Sequence, residues 1–285
     1  MNRIYKWYNS LSKQIRDSII ISVTILGMIS TILSILGISL GDCKEFSLLL
    51  RTGIVIVAFL IICVITYITL GRIFNNSVKL TIRQTSVSVD CGNIFEAQGL
   101  RVIGCDTHFN TVVDDIVISK KSLHGQLVLE HGSKDEIDKT VEAEARRLGL
   151  NKNSDDLYDF PLGTIIPYNS SIDNHTYLML AMTELNSRYE SHTNMAKYER
   201  MLMKMWKEID RVYASQDIAL PLLGAGIARF DDGPKHKDDL LRCMLCTLNS
   251  SGVSLNSGVK IIIYGDIGDI PLYEYKDIFH TIPRR

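Results

Sequence analysis

The sequence predicts an α/β domain that follows two membrane-spanning helices. Residues 18–41 and 52–71 form runs of 24 and 20 residues without a charged side chain, and about 20 apolar residues suffice to cross a bilayer. From Val78 onward, short apolar segments bounded by turn residues alternate with amphipathic stretches, which is typical of an α/β domain. We therefore expect an anchor over residues 1–75 and a globular domain over residues 76–285.

Charge distinguishes the two parts and predicts their topology. Residues 1–75 contain 7 Lys and Arg against 3 Asp and Glu, whereas residues 76–285 contain 24 against 29. Basic residues flanking a span favour the cytoplasmic side, and four of them precede the first span, so both termini should be cytoplasmic. The same figures argue against a plain soluble protein, a transporter with many spans and a nucleic-acid binder that depends on a strongly basic domain.

The first span has a face of small residues, because Thr24, Gly27, Thr31 and Ser34 recur every three or four positions. Small faces let helix backbones approach closely in lipid. Two interpretations stay open: self-association of several chains, or packing of the two spans against each other within one hairpin. Neither span contains an acidic, basic or His residue, so nothing marks an ion path.

Within the domain, periodicity and turn residues predict the secondary structure. The helix at 195–214 gathers Tyr198 and other large apolar side chains on one stripe, which is typical of a core face. Cys243 and Cys246 lie in the last helix without a second pair, so we expect reduced thiols and no zinc site. Strands are predicted at 78–89, 99–104, 126–130, 163–167, 175–183, 217–222 and 259–264, and helices at 133–148, 195–214 and 237–249.

The most informative segment is D217-I-A-L-P-L-L-G-A-G-I-A-R-F230, an apolar strand that opens into a glycine-containing loop. Glycines let backbone N–H groups surround an anion, and phosphorylated ligands bind beyond the carboxyl ends of strands in open α/β sheets. A tight strand-to-helix turn explains the same pattern equally well. No G-K-[ST] follows, and G-x-G-x-x-G is missing after a first strand, which disfavours an ATPase or a Rossmann dehydrogenase.

I218-A-L-P-L-L-G-A-G-I227 resembles the second, diphosphate-binding loop of the macro-domain family, whose members are ADP-ribose-binding modules. The resemblance extends over most of residues 80–280 and implies a macro-domain-like three-layer α/β/α mixed sheet. G92-N-I94 stands where the family has a G-D-I turn, so Asn93, followed by Ile94, replaces the acidic residue that reads the adenine amino group. An amide oxygen still accepts such a hydrogen bond.

The resemblance also implies which residues bind the ligand. Backbone amides around Gly224 and Gly226 would contact the diphosphate, and Phe230 would lie beside the distal ribose or, equally well, form part of the core. The first loop departs from the family, because a Lys-containing segment replaces three glycines; Lys120 and Lys121 would complement the diphosphate or form a solvated pair. The implied ligand-binding residues are Asn93, Ile94, Ser119, Lys121, Ser122, His124, Gly125, Leu223, Gly224, Ala225, Gly226, Ile227, Ala228, Arg229 and Phe230.

The whole architecture, a two-span hairpin followed by such a domain, resembles the membrane-anchored effectors of type II Thoeris anti-phage defence systems. This resemblance implies a TIR-domain partner that makes a histidine conjugate of ADP-ribose from NAD+. The effector would bind this signal, self-associate, disrupt the lipid bilayer of the bacterial inner membrane and stop phage production by abortive infection. It implies no further cofactor and no nucleic-acid partner.

Hydrolysis is the alternative function. G104-C-D-T-H-F-N110 matches the stretch that positions substrate and water in macro-domain hydrolases, and Asp106, His108 and Asn110 are compatible with acid–base chemistry. Three polar residues after a strand are, however, usually a loop. No Ser-His-Asp arrangement or metal-ligand spacing supports catalysis, so we expect no catalytic residue and keep a membrane-tethered ADP-ribosyl hydrolase as the alternative.

Overall fold

The computed structural model describes residues 13–35, 47–74, 77–186, 190–226, 229–265, 267, 270, 272 and 275. The chain divides into two compact units. One comprises Met1–Val78 with Pro271–Ile278, and the other comprises Lys79–Ile270 with Phe279–Arg285.

The first unit contains two long apolar helices, α1 (Lys13–Ile35) and α2 (Leu48–Phe74). Their stretches Gln14–Ile35 and Thr52–Gly71 are long and apolar enough to cross a membrane. Both predicted spans therefore coincide with helices, although α1 begins five residues before residue 18, and positions 36–41 lie outside the described residues. By length and composition, this pair suggests membrane association.

Polar side chains join α1 to α2. The Gln14 side chain donates to the Tyr67 carbonyl oxygen at 3.0 Å, and the hydroxyls of Ser22 and Thr66 lie 3.4 Å apart. Ser22 is fully buried. The predicted small face lies elsewhere, because Thr24, Gly27, Thr31 and Ser34 are all exposed. Within the described residues, the two helices thus pack through a different face from the one that the sequence singled out.

The second unit is built on a mixed sheet. Its strands are β1 (Ser77–Ile82), β2 (Thr85–Cys91), β3 (Leu100–Asp106), β4 (Ile165–Asn169), β5 (Thr176–Leu185), β6 (Ser191–Thr193), β7 (Ile218–Pro221), β8 (Arg229–Phe230) and β9 (Val259–Ile263). The strand order is β1-β2-β9-β7-β3-β5-β6-β8, and β4 pairs with β5. Strands β2, β9, β7, β3 and β5 are mutually parallel, whereas β4 and β6 run antiparallel to β5.

Helices connect these strands and cover the sheet. Successive residues of β3 and β5 are buried, so both faces of the central strands are covered, as in a three-layer arrangement. The predicted core stripe of the helix Met195–Val212 is buried, including Tyr198 and Trp206. The helices are α3 (Leu123–Gln126), which continues as a π-helical turn at Leu127–His131, α4 (Lys134–Leu148), α5 (Met195–Val212) and α6 (Lys237–Ser251), and a 3-10 turn occupies Ile94–Glu96.

Two predicted strands are wrong. The segment 78–89 is not one strand, because a turn at Arg83 and Gln84, with Arg83 at φ 55°, separates β1 from β2. The segment 126–130 is not a strand but the end of α3 and the π-helical turn. A five-residue apolar run does not distinguish a buried strand from a buried helical turn by period. The predicted α4 is confirmed, and it ends at Gly149 with φ +68°, as a left-handed C-cap requires.

Candidate functional site

The carboxyl ends of the five parallel strands meet at one edge of the sheet. The order β2-β9-β7-β3-β5 brings together the segments that follow each strand, and ligands of open α/β sheets bind at such an edge. Three of these segments carry sequence-predicted site residues: the turn after β2, the loop after β7 and the chain that follows β3 towards α3.

The loop after β7, Leu223–Gly226, is called the phosphate loop here. It is anchored at its start, where the Leu222 amide donates to the Ile262 carbonyl at 2.9 Å and the Ala225 amide donates to the Leu222 carbonyl at 3.3 Å. Gly224 has φ +81°, a backbone conformation that favours glycine, and a Cβ at Gly226 would meet no atom within 4 Å. In the part of the chain that the structure describes, the Gly224 and Gly226 amides have no hydrogen-bond acceptor, so both are available to an anion.

The chain after the phosphate loop continues in β8. The predicted site residues Ile227 and Ala228 lie outside the described residues. The Arg229 guanidinium forms an ion pair with Glu190. The half-buried Phe230 ring packs edge-on against Tyr198, with centroids 5.6 Å apart, and a Cβ at Gly224 would lie 3.3 Å from its Cζ atom. Phe230 therefore combines a packing role with a position beside the phosphate loop.

In the turn after β2, the predicted ligand-binding residue Asn93 forms hydrogen bonds within the turn itself. The Asn93 Oδ1 atom accepts a hydrogen bond from the Phe95 amide at 3.1 Å, so Asn93 caps the 3-10 turn, and its Nδ2 atom lies 3.4 Å from Glu96 Oε1. Ile94 is 3% exposed, so its side chain belongs to the core. At the neighbouring end of β9, Tyr264 is 81% exposed and presents an aromatic surface that the sequence pattern did not single out.

The predicted first loop is folded as the start of α3, with its polar atoms bonded to one another. Ser122 Oγ donates to the Ser119 carbonyl at 2.7 Å and accepts from the Gly125 amide at 2.9 Å. Gly125 is required, because a Cβ there would overlap the Ser119 carbonyl oxygen. The Lys120 ammonium pairs with Asp115 at 3.3 Å. Lys121 is exposed, and within the described residues no acidic group lies in ion-pair range of it.

A buried polar cluster lies between the end of β3 and α3. Asp106 Oδ1 accepts from the Asn110 side-chain amide at 3.1 Å, and Asp106 Oδ2 lies 3.8 Å from His124 Nδ1. His124 is 6% exposed, and its Nε2 atom has no partner among the described residues. Burial lowers the pKa of His124, although the Asp106 carboxylate opposes this effect. His124 thus supports the loop from inside.

The His108 imidazole does not join that cluster, although the His108 backbone amide donates to Asp106 Oδ1 at 2.8 Å. Its Nδ1 atom lies 3.1 Å from both the Tyr158 carbonyl oxygen and Asp159 Oδ1. The sequence-proposed set of Asp106, His108 and Asn110 is therefore only partly brought together. His108 lines a cavity of about 370 Å³ at the ends of β3 and β5, with Thr107, Asp159, Phe160, Pro161, Leu162, Glu184 and Leu185.

Three residues at this edge of the sheet were not predicted from the sequence as site residues. Asp159 and Glu184 are distant in sequence from the G-A-G loop, and Tyr198 was assigned only to the core stripe of α5. An exposed acidic residue after a predicted strand is a weak signal, and the hydroxyl of a buried tyrosine is a better one, because such a group needs a hydrogen-bond partner.

The described residues contain no group of three or more His, Cys, Asp or Glu side chains arranged to hold a metal ion. Cys243 and Cys246 are free thiols on α6. Burial raises the pKa of Cys243 to about 12 and also raises that of Cys246. Neither thiol is therefore activated as a nucleophile.

A family model and a sequence relative that match this chain carry the same protein name. The family model "Thoeris protein ThsA, Macro domain" matches residues 87–264. The Thoeris protein ThsA of Bacillus amyloliquefaciens (strain Y2) is 26% identical over 273 residues, which are 92% of this chain and 88% of that protein.

Two solved structures of the Oceanobacillus iheyensis macrodomain are also similar. A mutant of that protein gives a TM-score of 0.47 at 12% identity and covers 72% of this chain and 97% of its own. The same macrodomain with ADP gives a TM-score of 0.46 at 14% identity, with coverages of 72% and 96%.

The family match spans the sheet from β2 to the end of β9, including the phosphate loop and the chain after β3. It confirms the predicted macro-domain-like fold class. Because the matched region exceeds half of the chain, the protein belongs to the family of Thoeris ThsA proteins with a macro domain.

Proposed function

We propose that this protein is a membrane-anchored anti-phage effector whose macro domain binds an ADP-ribose-type nucleotide. The signal is histidine-ADP-ribose, made from NAD+ by a TIR-domain partner. Binding triggers self-association of the effector and disruption of the inner membrane, with both termini in the cytoplasm and the domain at residues 76–285. The protein does not turn the ligand over.

The phosphate loop carries this proposal. Its Gly224 and Gly226 amides stand at the carboxyl end of β7 without an acceptor in the described chain, which suits a diphosphate. The domain sequence from residue 76 has five more acidic than basic residues. Binding of an anion must therefore depend on local backbone donors rather than on the overall field of the domain.

The strand order gives the ligand a direction along the edge. Neighbouring strands lie about 4.8 Å apart, so the ends of β2, β9, β7 and β3 extend over about 14 Å. We place the adenine near Asn93 and Tyr264, the diphosphate at the phosphate loop and the distal ribose at the end of β3. Tyr264 offers a stacking surface, which any purine base accepts.

The cavity beside His108 supports a conjugate over ADP-ribose itself. It lies at the ends of β3 and β5, where a group attached to the distal ribose would emerge. Asp159 and Glu184 contribute carboxylates and Phe160 an apolar wall. This lining suits an amino-acid-sized group that carries an amine, such as the histidine of the conjugate.

The exposed small face of α1 supports self-association. Ser22 already serves the contact with α2, whereas Thr24, Gly27 and Thr31 face outward. Small outward faces promote close helix contacts between chains in lipid. We therefore propose that Thr24, Gly27 and Thr31 form the contact between copies of the chain in the activated state. The Ser22 face packs α1 against α2 within one chain.

Calorimetry of the full-length chain in lipid nanodiscs tests the function. The chain is titrated with ADP-ribose and with its histidine conjugate, and the recovered ligand is analysed by mass spectrometry. We expect binding of the intact conjugate that is tighter than binding of ADP-ribose. Release of free ADP-ribose from the conjugate would support the hydrolase instead, and no binding of either nucleotide would refute the proposed site.

A further inference from the structure

Tyr198 on α5 connects the two sides of the phosphate loop. Its hydroxyl donates to the Leu223 carbonyl oxygen at 2.8 Å, where the loop begins. Its ring packs against Phe230 in β8. Strand β8 is the first described segment after the phosphate loop, and a turn follows it. Tyr198 is 1% exposed, so these contacts fix its position, and no ligand needs to touch it.

A charged cluster holds β8 from the other side. We call His192, Glu190, Arg229 and Asp231 the clasp. His192 Nδ1 lies 2.5 Å from Asp231 Oδ1, His192 Nε2 lies 3.5 Å from Glu190 Oε2, and Arg229 pairs with Glu190. The backbone reinforces these pairs, because β6 and β8 are parallel neighbours and the Asp231 amide donates to the Thr193 carbonyl at 2.9 Å.

These contacts control the geometry of the anion site. Gly224 lies against the Phe230 ring, and the Leu223 carbonyl precedes the Gly224 amide by one bond. A shift of either Leu223 or Phe230 therefore redirects the free amides. Hydrogen-bond donors bind an anion well only when their direction is fixed before the ligand arrives.

We propose that Tyr198 and the clasp are positioning residues of the nucleotide site: they hold Leu223 and Phe230 at the separation at which the Gly224 and Gly226 amides converge on the diphosphate. This inference rests on the proposed function. It adds residues on α5 and β6 that lie outside the loops that contact the ligand.

The clasp makes the site sensitive to pH through His192. Asp231 first, and Glu190 to a smaller degree, raise the pKa of His192 against a lowering by burial. Glu184, paired with Lys197, faces His192 from β5, and Arg229 faces it through Glu190. The contribution of protonated His192 is complete below its unfolded-state pKa and disappears as the pH rises through the raised pKa.

Tyr198→Phe tests the hydroxyl contact, and Tyr213→Phe, at the other end of α5, is the matched control. The full-length chain in nanodiscs is titrated with ADP-ribose. We expect Tyr198→Phe to weaken binding about 3- to 10-fold, as loss of one hydrogen bond implies, with no change for Tyr213→Phe. Equal affinities of Tyr198→Phe and wild type would overturn the role of Tyr198.

Hydrogen exchange separates this inference from the proposed function. Without ligand, Tyr198→Phe should accelerate amide exchange at Leu222 and Ala225, whose amides are hydrogen-bonded at the phosphate loop, relative to Tyr213→Phe. Unchanged exchange at these two amides contradicts positioning even where ADP-ribose fails to bind. If the wild type does not bind ADP-ribose but exchange is accelerated in Tyr198→Phe, the proposed ligand is wrong, whereas the role of Tyr198 in holding the phosphate loop stands.

The pH profile tests the clasp. The affinity of the wild type for ADP-ribose should fall as the pH is raised from about 6 to about 8.5, across the titration of a histidine with a raised pKa. Asp231→Asn should flatten this profile, and Asp231→Glu, which retains the carboxylate, should restore it in part. A wild-type affinity that does not vary with pH, or an Asp231→Asn profile parallel to it, would remove the clasp from the proposal.

Discussion

Two segments at the same edge of the sheet use their polar atoms in opposite ways. In the chain from Ser119 to Gly125, hydroxyls and amides bond to one another, and Lys120 is paired with Asp115. In the phosphate loop, two glycine amides have no acceptor in the described chain. Unpaired backbone donors identify a binding loop better than the presence of polar or basic side chains does, because bonded donors have nothing left to offer a ligand.

The largest effect is expected from Gly226→Glu. The open space at Gly226 admits a side chain, so folding is retained, and the carboxylate repels the diphosphate. We expect affinity for ADP-ribose to fall at least about 100-fold, equivalent to about 2.7 kcal/mol. Calorimetry measures the affinity and thermal unfolding checks the fold. Gly226→Ala should lose far less, and wild-type affinity in Gly226→Glu would place the anion elsewhere.

Gly125→Ala should act on stability instead. Its Cβ would overlap the Ser119 carbonyl oxygen, so the start of α3 must shift. We expect a loss of about 2 kcal/mol in the free energy of unfolding, measured by chemical denaturation of the full chain in detergent. If Gly125→Ala is as stable as the wild type, the first loop is not the rigid element that its contacts indicate.

Ser122→Ala removes the cap of α3. Loss of such a cap costs about 1 kcal/mol, and it should appear in the same denaturation experiment. Because the Ser122 hydroxyl already bonds to Ser119 and Gly125, we expect the affinity for ADP-ribose to change less than about 2-fold. A larger loss of affinity at unchanged stability would assign Ser122 to the ligand, as the family resemblance implies.

The smallest effect concerns the cavity beside His108. Asp159 is largely exposed there, so screening limits its contribution. We expect Asp159→Asn to reduce the preference for the histidine conjugate over ADP-ribose by about 3-fold and to leave ADP-ribose binding as it was. Parallel titrations with the two nucleotides provide the ratio. An unchanged ratio would move the appended group away from this cavity.

The sequence predicted what depends on local pattern. The apolar strand ending at Pro221, the glycine loop after it and the end of α4 at Gly149 follow from composition and turn chemistry. The helical turn at Leu127–His131 was mistaken for a strand, because its short apolar run has no distinct period. The stretch around Asp106 and His108 was interpreted as a loop rather than a catalytic set, and the absence of a catalytic residue there stays a prediction.

Contacts between distant segments account for the rest. Tyr198 was correctly placed on a buried stripe, but its partner Leu223 lies 25 residues away and is set by the fold. The family resemblance implies that His124 binds the ligand; the structure buries His124 3.8 Å from Asp106, a contact that no local pattern predicts, and its role in binding stays a prediction. A single sequence shows that a buried tyrosine or histidine needs a polar partner, but it does not show which distant residue the fold brings within hydrogen-bond distance.

The open space at Gly226 also permits an optical sensor. A Gly226→Cys thiol would lie beside the anion site without displacing any described atom, and a dye attached there would report ligand occupancy as a change in emission. Cys105 and Cys243 are buried and would react slowly, whereas the exposed Cys91 and Cys246 and the half-buried Cys63 would first be changed to serine, together with Cys43. Such a labelled protein would follow the arrival of the signal in real time.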